Sequence, residues 1–172
     1  HIYAVIKGTA LNHGGKTSGF TVPNPNRQGA LIKTAIQRAG VDPRHISYVE
    51  AHGTGTSLGD PIEIAGLSKA FADVPLQSCA IGSVKSNIGH SEAAAGIAGI
   101  SKILLQLKHR MLVPSLHSTT LNPYLKMAQS PFFVLQAAQP WRRPVEHNAA
   151  TGERNELPLL AGLSSFGAGG AN

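Results

Sequence analysis

Residues 49–61 read VEAHGTGTSLGDP, and how they are read decides the fold. The segment leading into them, HISYVEA, is rich in β-branched and aromatic residues and predicts a short strand ending at His52. After the Gly–Thr run, Asp60 is a natural helix cap and Pro61 suits the first helical position. Glu63, three residues beyond the cap, completes the capping pattern. The helix is expected to run to about Phe71. A strand feeding a glycine-rich loop and then a helix is the repeating unit of an α/β sheet. In such sheets ligands gather just beyond the carboxyl ends of the strands, which is where His52 falls.

The pattern continues on both sides. Ile2, Ala4 and Ile6 alternate with Tyr3, Val5 and Lys7, predicting a strand over 2–9. NRQGALIKTAIQRAG places Leu31, Ala35, Ile36 and Ala39 at helical spacing, with Asn26 as cap and Gly40 as stop. SCAIGSV predicts a strand ending near Lys85. SEAAAGIAGISKILLQLKHR is the clearest helix, and its first half has no charge after Glu92, so it is expected to be buried. Lys102, Lys108 and Arg110 are expected to favour its carboxyl end through the dipole. PFFVLQA and LPLLAGLSSF predict further strands, separated by a polar surface loop, EHNAATGERNE. Both termini look cut from something longer: the chain opens in a strand-like run without methionine and stops in a glycine-rich stretch.

Composition narrows the function. With 172 residues, 42% apolar and 14% charged, the chain suits one domain with a buried core. The net charge of +6 is scattered rather than clustered, and only 5% of residues are aromatic. That argues against a base-stacking nucleic-acid surface and leaves an acidic protein partner or simple solvation as uses of the charge. Cys79 is the single cysteine, which excludes an internal disulfide and a cysteine-cluster metal site. The eight histidines show no paired ligand spacing. No apolar run reaches the roughly 18 residues of a membrane span, and nothing resembles a signal peptide, so the cytoplasm is the expected compartment.

Three strand ends carry groups that can do chemistry. Ala10–Thr17, ALNHGGKT, is a loose match to a phosphate loop, but Gly19, Pro23 and Pro25 deny it the helix that would hold a phosphate. It is read as a loop. At the first strand end stands His52, with Gly53 and Gly55 allowing close backbone approach and Thr54 and Thr56 offering hydroxyls. Alone, a histidine at a strand end serves structure more often than function. The second, VKSNIGHSEAAAG, sets Lys85 past a strand and His90 before a helix whose positive end disfavours a protonated imidazole. Two neutral histidines aimed at one oxygen would stabilise an enolate. The alternative is a helix-entry cluster in which Glu92 pairs with Lys85. At the third, Phe166–Gly170, exposed backbone N–H groups are suited to an oxyanion hole. No nucleophile accompanies them. Cys79 lacks an activating base or helix terminus and reads as a small buried hydrophobe.

VEAHGTGTSLGDPIEI, IGSVKSNIGHSEAAAGIAGISKILL and SSFGAGGAN, in this order, resemble the β-ketoacyl synthase (ketosynthase) domains of modular type I polyketide synthases. IYAVIKGTALNHGGKTSGFTVPNP is similar to those assembly lines served by a separate acyltransferase. The resemblance implies a thiolase-like α/β fold of layered αβαβα type, of which residues 1–25 would end the first half and 26–172 form the second. It implies a decarboxylative Claisen condensation between a cysteine-bound acyl chain and a malonyl-type extender. Both would arrive on the phosphopantetheine of acyl carrier protein, with no cofactor bound directly.

By the same resemblance, His52 and His90 match the histidines that hold the extender carbonyl, and Lys85 the lysine supporting them. Thr54 and Thr56 match the phosphopantetheine contacts. Phe166 matches the gating residue whose N–H serves the oxyanion hole, with Gly167 beside it and Glu92 as structural support. The nucleophile's motif, Asp-Thr-Ala-Cys-Ser-Ser, is absent. The expected partners are therefore the N-terminal ketosynthase half carrying that cysteine, acyl carrier protein, and a second copy of the complete domain; neither nucleic acid nor membrane is expected. The chain alone should be inactive. The alternatives are a fatty-acid type condensing enzyme and a non-catalytic module, either docking carrier protein or acting like a chain-length factor.

Overall fold

The computed structural model describes residues 1–19, 22–147 and 152–172. Four parallel strands form its centre in the order β4-β2-β1-β8, where β1 is Ile46–Glu50, β2 Cys79–Gly82, β4 Phe132–Val134 and β8 Leu160–Leu163. Strands this short and parallel need both faces covered. Helices α1 (Pro25–Ala39) and α2 (Gly59–Ala70) cover one face, and α4 (Ala95–His109) the other. Alternation along β1 and β2 feeds two cores. Val49, Cys79, Ile81 and Phe132 meet Ile64, Leu67 and Phe71 of the α2 side. Tyr48 and Ala80 meet Leu112, Leu135, Trp141 and the α4 residues Ile103 and Leu107. The α/β reading of the sequence holds.

Local chemistry moved several boundaries. Asn24, not Asn26, caps α1: its side chain accepts from the N–H groups of Asn26 and Arg27, and Pro25 takes the first helical position. Gly40 closes the helix in the left-handed conformation at φ 62°. Asp60 is not the cap of α2. The helix begins two residues before the expected Pro61, at Gly59, whose N–H donates to Thr56 Oγ1 at 3.0 Å. Both acids of the expected capping pattern turn back to the loop instead.

The segment predicted as a strand over 2–9 has no ladder partner among the described residues. Ile2, Tyr3, Val5 and Ile6 stand exposed. It runs beside α1, where Arg38 donates to the Thr9 carbonyl at 3.0 Å. Alternation gives a strand its face, but a neighbour must supply the hydrogen bonds. The polar loop around 146–156 contains an antiparallel hairpin, β6 (Val145–His147) with β7 (Arg154–Glu156), whose tip lies outside the described residues. A second small ribbon joins β3 (Met111–Leu112) to β5 (Gln139–Pro140).

The long helix departs furthest from expectation. A 3₁₀ turn over Glu92–Ala94 precedes it, and α4 proper starts at Ala95. Its buried face is Ala95, Gly99, Lys102 and Gln106, whereas Ile97 and Leu105 are 61% and 56% exposed. Its small and polar side meets the sheet because Glu50 and Tyr48 wait there. Gly99 fits close above them: a Cβ would lie 2.8 Å from Leu163 and 3.2 Å from Glu50. Lys102 is not a surface cation helping the helix terminus. It is buried, with Nζ 2.9 Å from Glu50 Oε2, an ion pair by distance whose alignment falls short of a hydrogen bond.

Candidate active site

The segments that follow β1, β2 and β8 line a cleft of about 850 Å³ through His52, His90 and Phe166, whereas Lys85 does not reach its wall. His52 leaves β1 two residues past its end. Its ring centroid lies 5.3 Å from that of His90 and 5.6 Å from that of Phe166. Three sequence-predicted residues separated by as many as 114 positions thus converge on one wall.

Hydrogen bonds fix both imidazoles in the same tautomer. Phe166 donates its backbone N–H to His52 Nδ1 at 3.2 Å, and Glu92 donates its own to His90 Nδ1 at 2.9 Å. An imidazole nitrogen that accepts carries no proton, so in each neutral ring the proton sits on Nε2. Burial is the main cause holding His52 down to about 4, with the positive field of Lys85 and then His90 adding to it. Near neutral pH His52 is an uncharged N–H donor.

The loop that carries His52 is held from below by Glu63. That residue is buried, and its two oxygens accept the N–H groups of His52 and Gly53 at 2.8 and 2.9 Å. Burial pushes its carboxyl up to about 7 against those two bonds. Gly53 has φ 47°, and a Cβ there would lie 2.8 Å from Ser83 Cβ, so close packing requires glycine. Asp60 braces the outer part of the loop through the Gly55 N–H at 3.1 Å. Thr54 and Thr56, both exposed, place their hydroxyl oxygens 3.4 Å apart on the cleft wall.

Lys85 opens the single-turn helix α3 (Lys85–Ile88) just past β2, and burial lowers its ammonium. Glu92 does not pair with it: no ion pair joins them among the described residues. Glu92 acts through its main chain, holding His90 from a left-handed φ of 49°. The Phe166 N–H is committed to His52 and that of Gly167 to the Ala171 carbonyl at 2.8 Å. Neither proposed oxyanion donor is free in this conformation. Cys79 is buried at the start of β2, and burial pushes its thiol up to about 12. It faces the core, not the cleft. The cleft is also lined by Gly14–Thr17 and the terminal loop, clasped by reciprocal backbone bonds between Asn12 and Asn172 at 3.1 Å. So the discarded phosphate-loop lookalike lines the site without a helix behind it. Among the described residues no His/Cys/Asp/Glu group is arranged for a metal.

Glu63 and Glu50 escaped the sequence reading as site residues. Glu63 looked like a capping partner. Glu50 carried a signal, a lone carboxylate inside an otherwise apolar strand, but nothing in the chain order pointed to its partners.

The parallel sheet with helices on both faces is of the thiolase-like type, as in the solved ketosynthases it superposes on. Residues 3–119 match the model of the β-ketoacyl synthase C-terminal domain, and the chain belongs to that family. It is 62% identical over its full length to the polyketide synthase PksL of Bacillus subtilis and 60% identical to ThaG of Burkholderia thailandensis. It spans about 4% and 3% of those chains. An oxazolomycin ketosynthase domain of Streptomyces albus, OzmH KS7, superposes with a TM-score of 0.92 at 51% identity. The module 6 ketosynthase of the Bacillus subtilis bacillaene synthase does so at 0.87 and 45%. The chain is covered completely in both cases and accounts for 29% of each solved chain. No helix among the described residues is long and apolar enough to cross a membrane.

Proposed function

We propose that this chain supplies the extender-activating part of a ketosynthase in a polyketide assembly line. Residues 1–25 end the first half of that domain and 26–172 form its second. The observation that carries the reading is the paired imidazoles, both with Nδ1 occupied and Nε2–H left to donate, 5.3 Å apart at the cleft. A malonyl-type thioester on the phosphopantetheine of acyl carrier protein places its carbonyl oxygen between His52 and His90. The bond to its carboxylate carbon breaks, CO₂ leaves, and the electron pair becomes an enolate whose oxygen the two N–H groups stabilise. Thr54 and Thr56 line the approach of the arm.

The enolate carbon then attacks an acyl thioester on a cysteine of the first half. A carbon–carbon bond forms, the carbon–sulfur bond breaks, and the cysteine leaves as thiolate. Lys85 sets the positive field in which both charges develop. The Phe166 N–H serves the tetrahedral oxyanion only after letting go of His52, which makes Phe166 a gate between the two half-reactions. The complete domain works as a homodimer, and this chain alone condenses nothing.

The test uses the complete ketosynthase that contains these residues. With malonyl carrier protein it should release CO₂, and with an acyl donor it should form the β-ketoacyl product. His52→Ala should reduce CO₂ release by about 10²–10³-fold, the range seen when one preorganised donor is removed. Condensation by residues 1–172 alone, or decarboxylation indifferent to His52, would overturn the reading.

A further inference from the structure

Below the cleft, at the end of β1, lies a buried polar cluster that the proposed chemistry does not touch. Glu50 is 2% exposed. Its Oε1 accepts the Val84 N–H at 2.5 Å. Its Oε2 accepts the Tyr48 hydroxyl at 2.5 Å and faces Lys102 Nζ at 2.9 Å. The Glu50 carbonyl accepts the Ser164 N–H at 3.0 Å, and the next residue, Ala51, donates to the Gly82 carbonyl at 2.9 Å. Two of these contacts, to Val84 and Ser164, end within two residues of a site residue. Val84 precedes Lys85, Ser164 stands two residues before Phe166, and Glu50 itself stands two residues before His52. Lys102 belongs to the helix that His90 leads into.

A buried ion pair contributes little net stability compared with apolar residues of the same size. An apolar pair would cover the sheet equally well but would leave the Val84 N–H without an acceptor. We infer that Glu50 is a positioning residue, which sets the Lys85 turn against His52 through its bond to the Val84 N–H while Lys102 holds its carboxylate in place. The inference rests on the ketosynthase reading and extends it to a residue that meets no substrate.

Three variants of the complete ketosynthase test this, the Leu pair also carrying Tyr48→Phe so that no buried hydroxyl is stranded. The pair Glu50→Gln and Lys102→Met keeps an acceptor for Val84 and removes both charges. The pair Glu50→Leu and Lys102→Met removes the acceptor as well. The third carries Val84→Pro, which deletes the donor from the other side of the bond, at a φ of −64° that proline already prefers. The readouts are kcat and KM for CO₂ release from malonyl carrier protein, with near-UV circular dichroism for the fold. The Gln pair should stay within about threefold of the parent. The Leu pair and the proline variant should lose about ten- to a hundredfold in kcat, the scale of a small misplacement, at unchanged KM. If the Leu pair does not fold, the proline variant decides. Full kcat in a folded acceptor-less or donor-less variant would overturn the inference with the ketosynthase reading intact. Absence of CO₂ release in the parent would instead overturn that reading.

Discussion

The backbone N–H of Phe166 donates to His52 Nδ1 at 3.2 Å, tying the loop after β8 to the loop after β1. The bond fixes the proton of the neutral imidazole on Nε2 and at the same time occupies the N–H that an oxyanion would need. His90 is fixed in the same way by Glu92. On the ketosynthase reading, two Nε2–H donors prepared alike suit a carbonyl oxygen that gains charge.

Replacements that differ in donor placement should therefore separate. A glutamine at position 52 carries its N–H₂ about where Nε2–H lies, whereas an asparagine reaches only the Nδ1 region. In the complete ketosynthase, His52→Gln should retain CO₂ release within about tenfold and His52→Asn should lose about 10²-fold or more, as for a missing preorganised donor. Equal losses, measured as initial rates of CO₂ release, would mean that the imidazole acts as something other than an Nε2–H donor.

His52 and Glu63 should pull stability in opposite directions with pH. His52 titrates at about 4 when folded against an ordinary 6.5, so its contribution is fully present above pH 6.5 and is lost as pH falls through 4. Glu63 titrates at about 7 against an ordinary 4.5, so its contribution is present below pH 4.5 and is lost as pH rises through 7. Between pH 4.5 and 6.5 the two offset one another. Glu63→Gln removes the second term, so denaturation midpoints of that variant should climb from pH 4.5 to 6.5 and then level off. The parent should be flatter in that window and lose stability between 6.5 and 7.5. A variant that follows the parent's profile would show that Glu63 stays ionised throughout.

How much the sequence disclosed depended on whether the signal was local. The strand–loop–helix at 46–70 was legible because alternation, the Gly–Thr run and Pro61 all act within a few residues. The approach of His52, His90 and Phe166 was inferable from three strand ends in one α/β order. What failed was pairing at a distance. Asp60 and Glu63 satisfy a capping pattern, yet both serve loop N–H groups that begin five to eleven residues upstream. Ile2–Thr9 alternates like a strand and has no ladder among the described residues. The apolar start of α4 suggested burial, but a helix chooses its inward side by what it meets. Glu50 drew Lys102 inward and left Ile97 outside.

Gly53 offers a direct check on the His52 loop. It holds φ 47° and has no room for a methyl group against Ser83. Gly53→Ala should cost about 2–5 kcal/mol in denaturant unfolding, combining left-handed strain of about 1–2 with overpacking of about 1–3. It should also reduce CO₂ release, because the shift propagates to the neighbouring imidazole. Gly40→Ala has the strain at φ 62° but open space around it, and it is distant from the cleft. It should cost about 1 kcal/mol and leave the rate alone. Equal effects of the two substitutions would remove the packing contact from the explanation.

The exposed face of α4 makes the last prediction. Ile97, Ser101 and Leu105 follow one another at four-residue spacing, and all three are exposed. Isolated apolar residues on a surface are ordinary, but Ile97 and Leu105, both more than half exposed on one side of the helix, mark a face suited to being covered. On the ketosynthase reading the cover is the first half of the domain. Residues 1–172 prepared alone should therefore self-associate, and Ile97→Glu with Leu105→Lys should shift sedimentation toward monomer. The same pair placed in the complete domain should act in the opposite sense. It should bury two charges and lower the unfolding free energy by several kcal/mol, about the cost of unpaired buried ions. If the substitutions leave the complete domain unaffected, this face of α4 stays in water and the first half packs elsewhere.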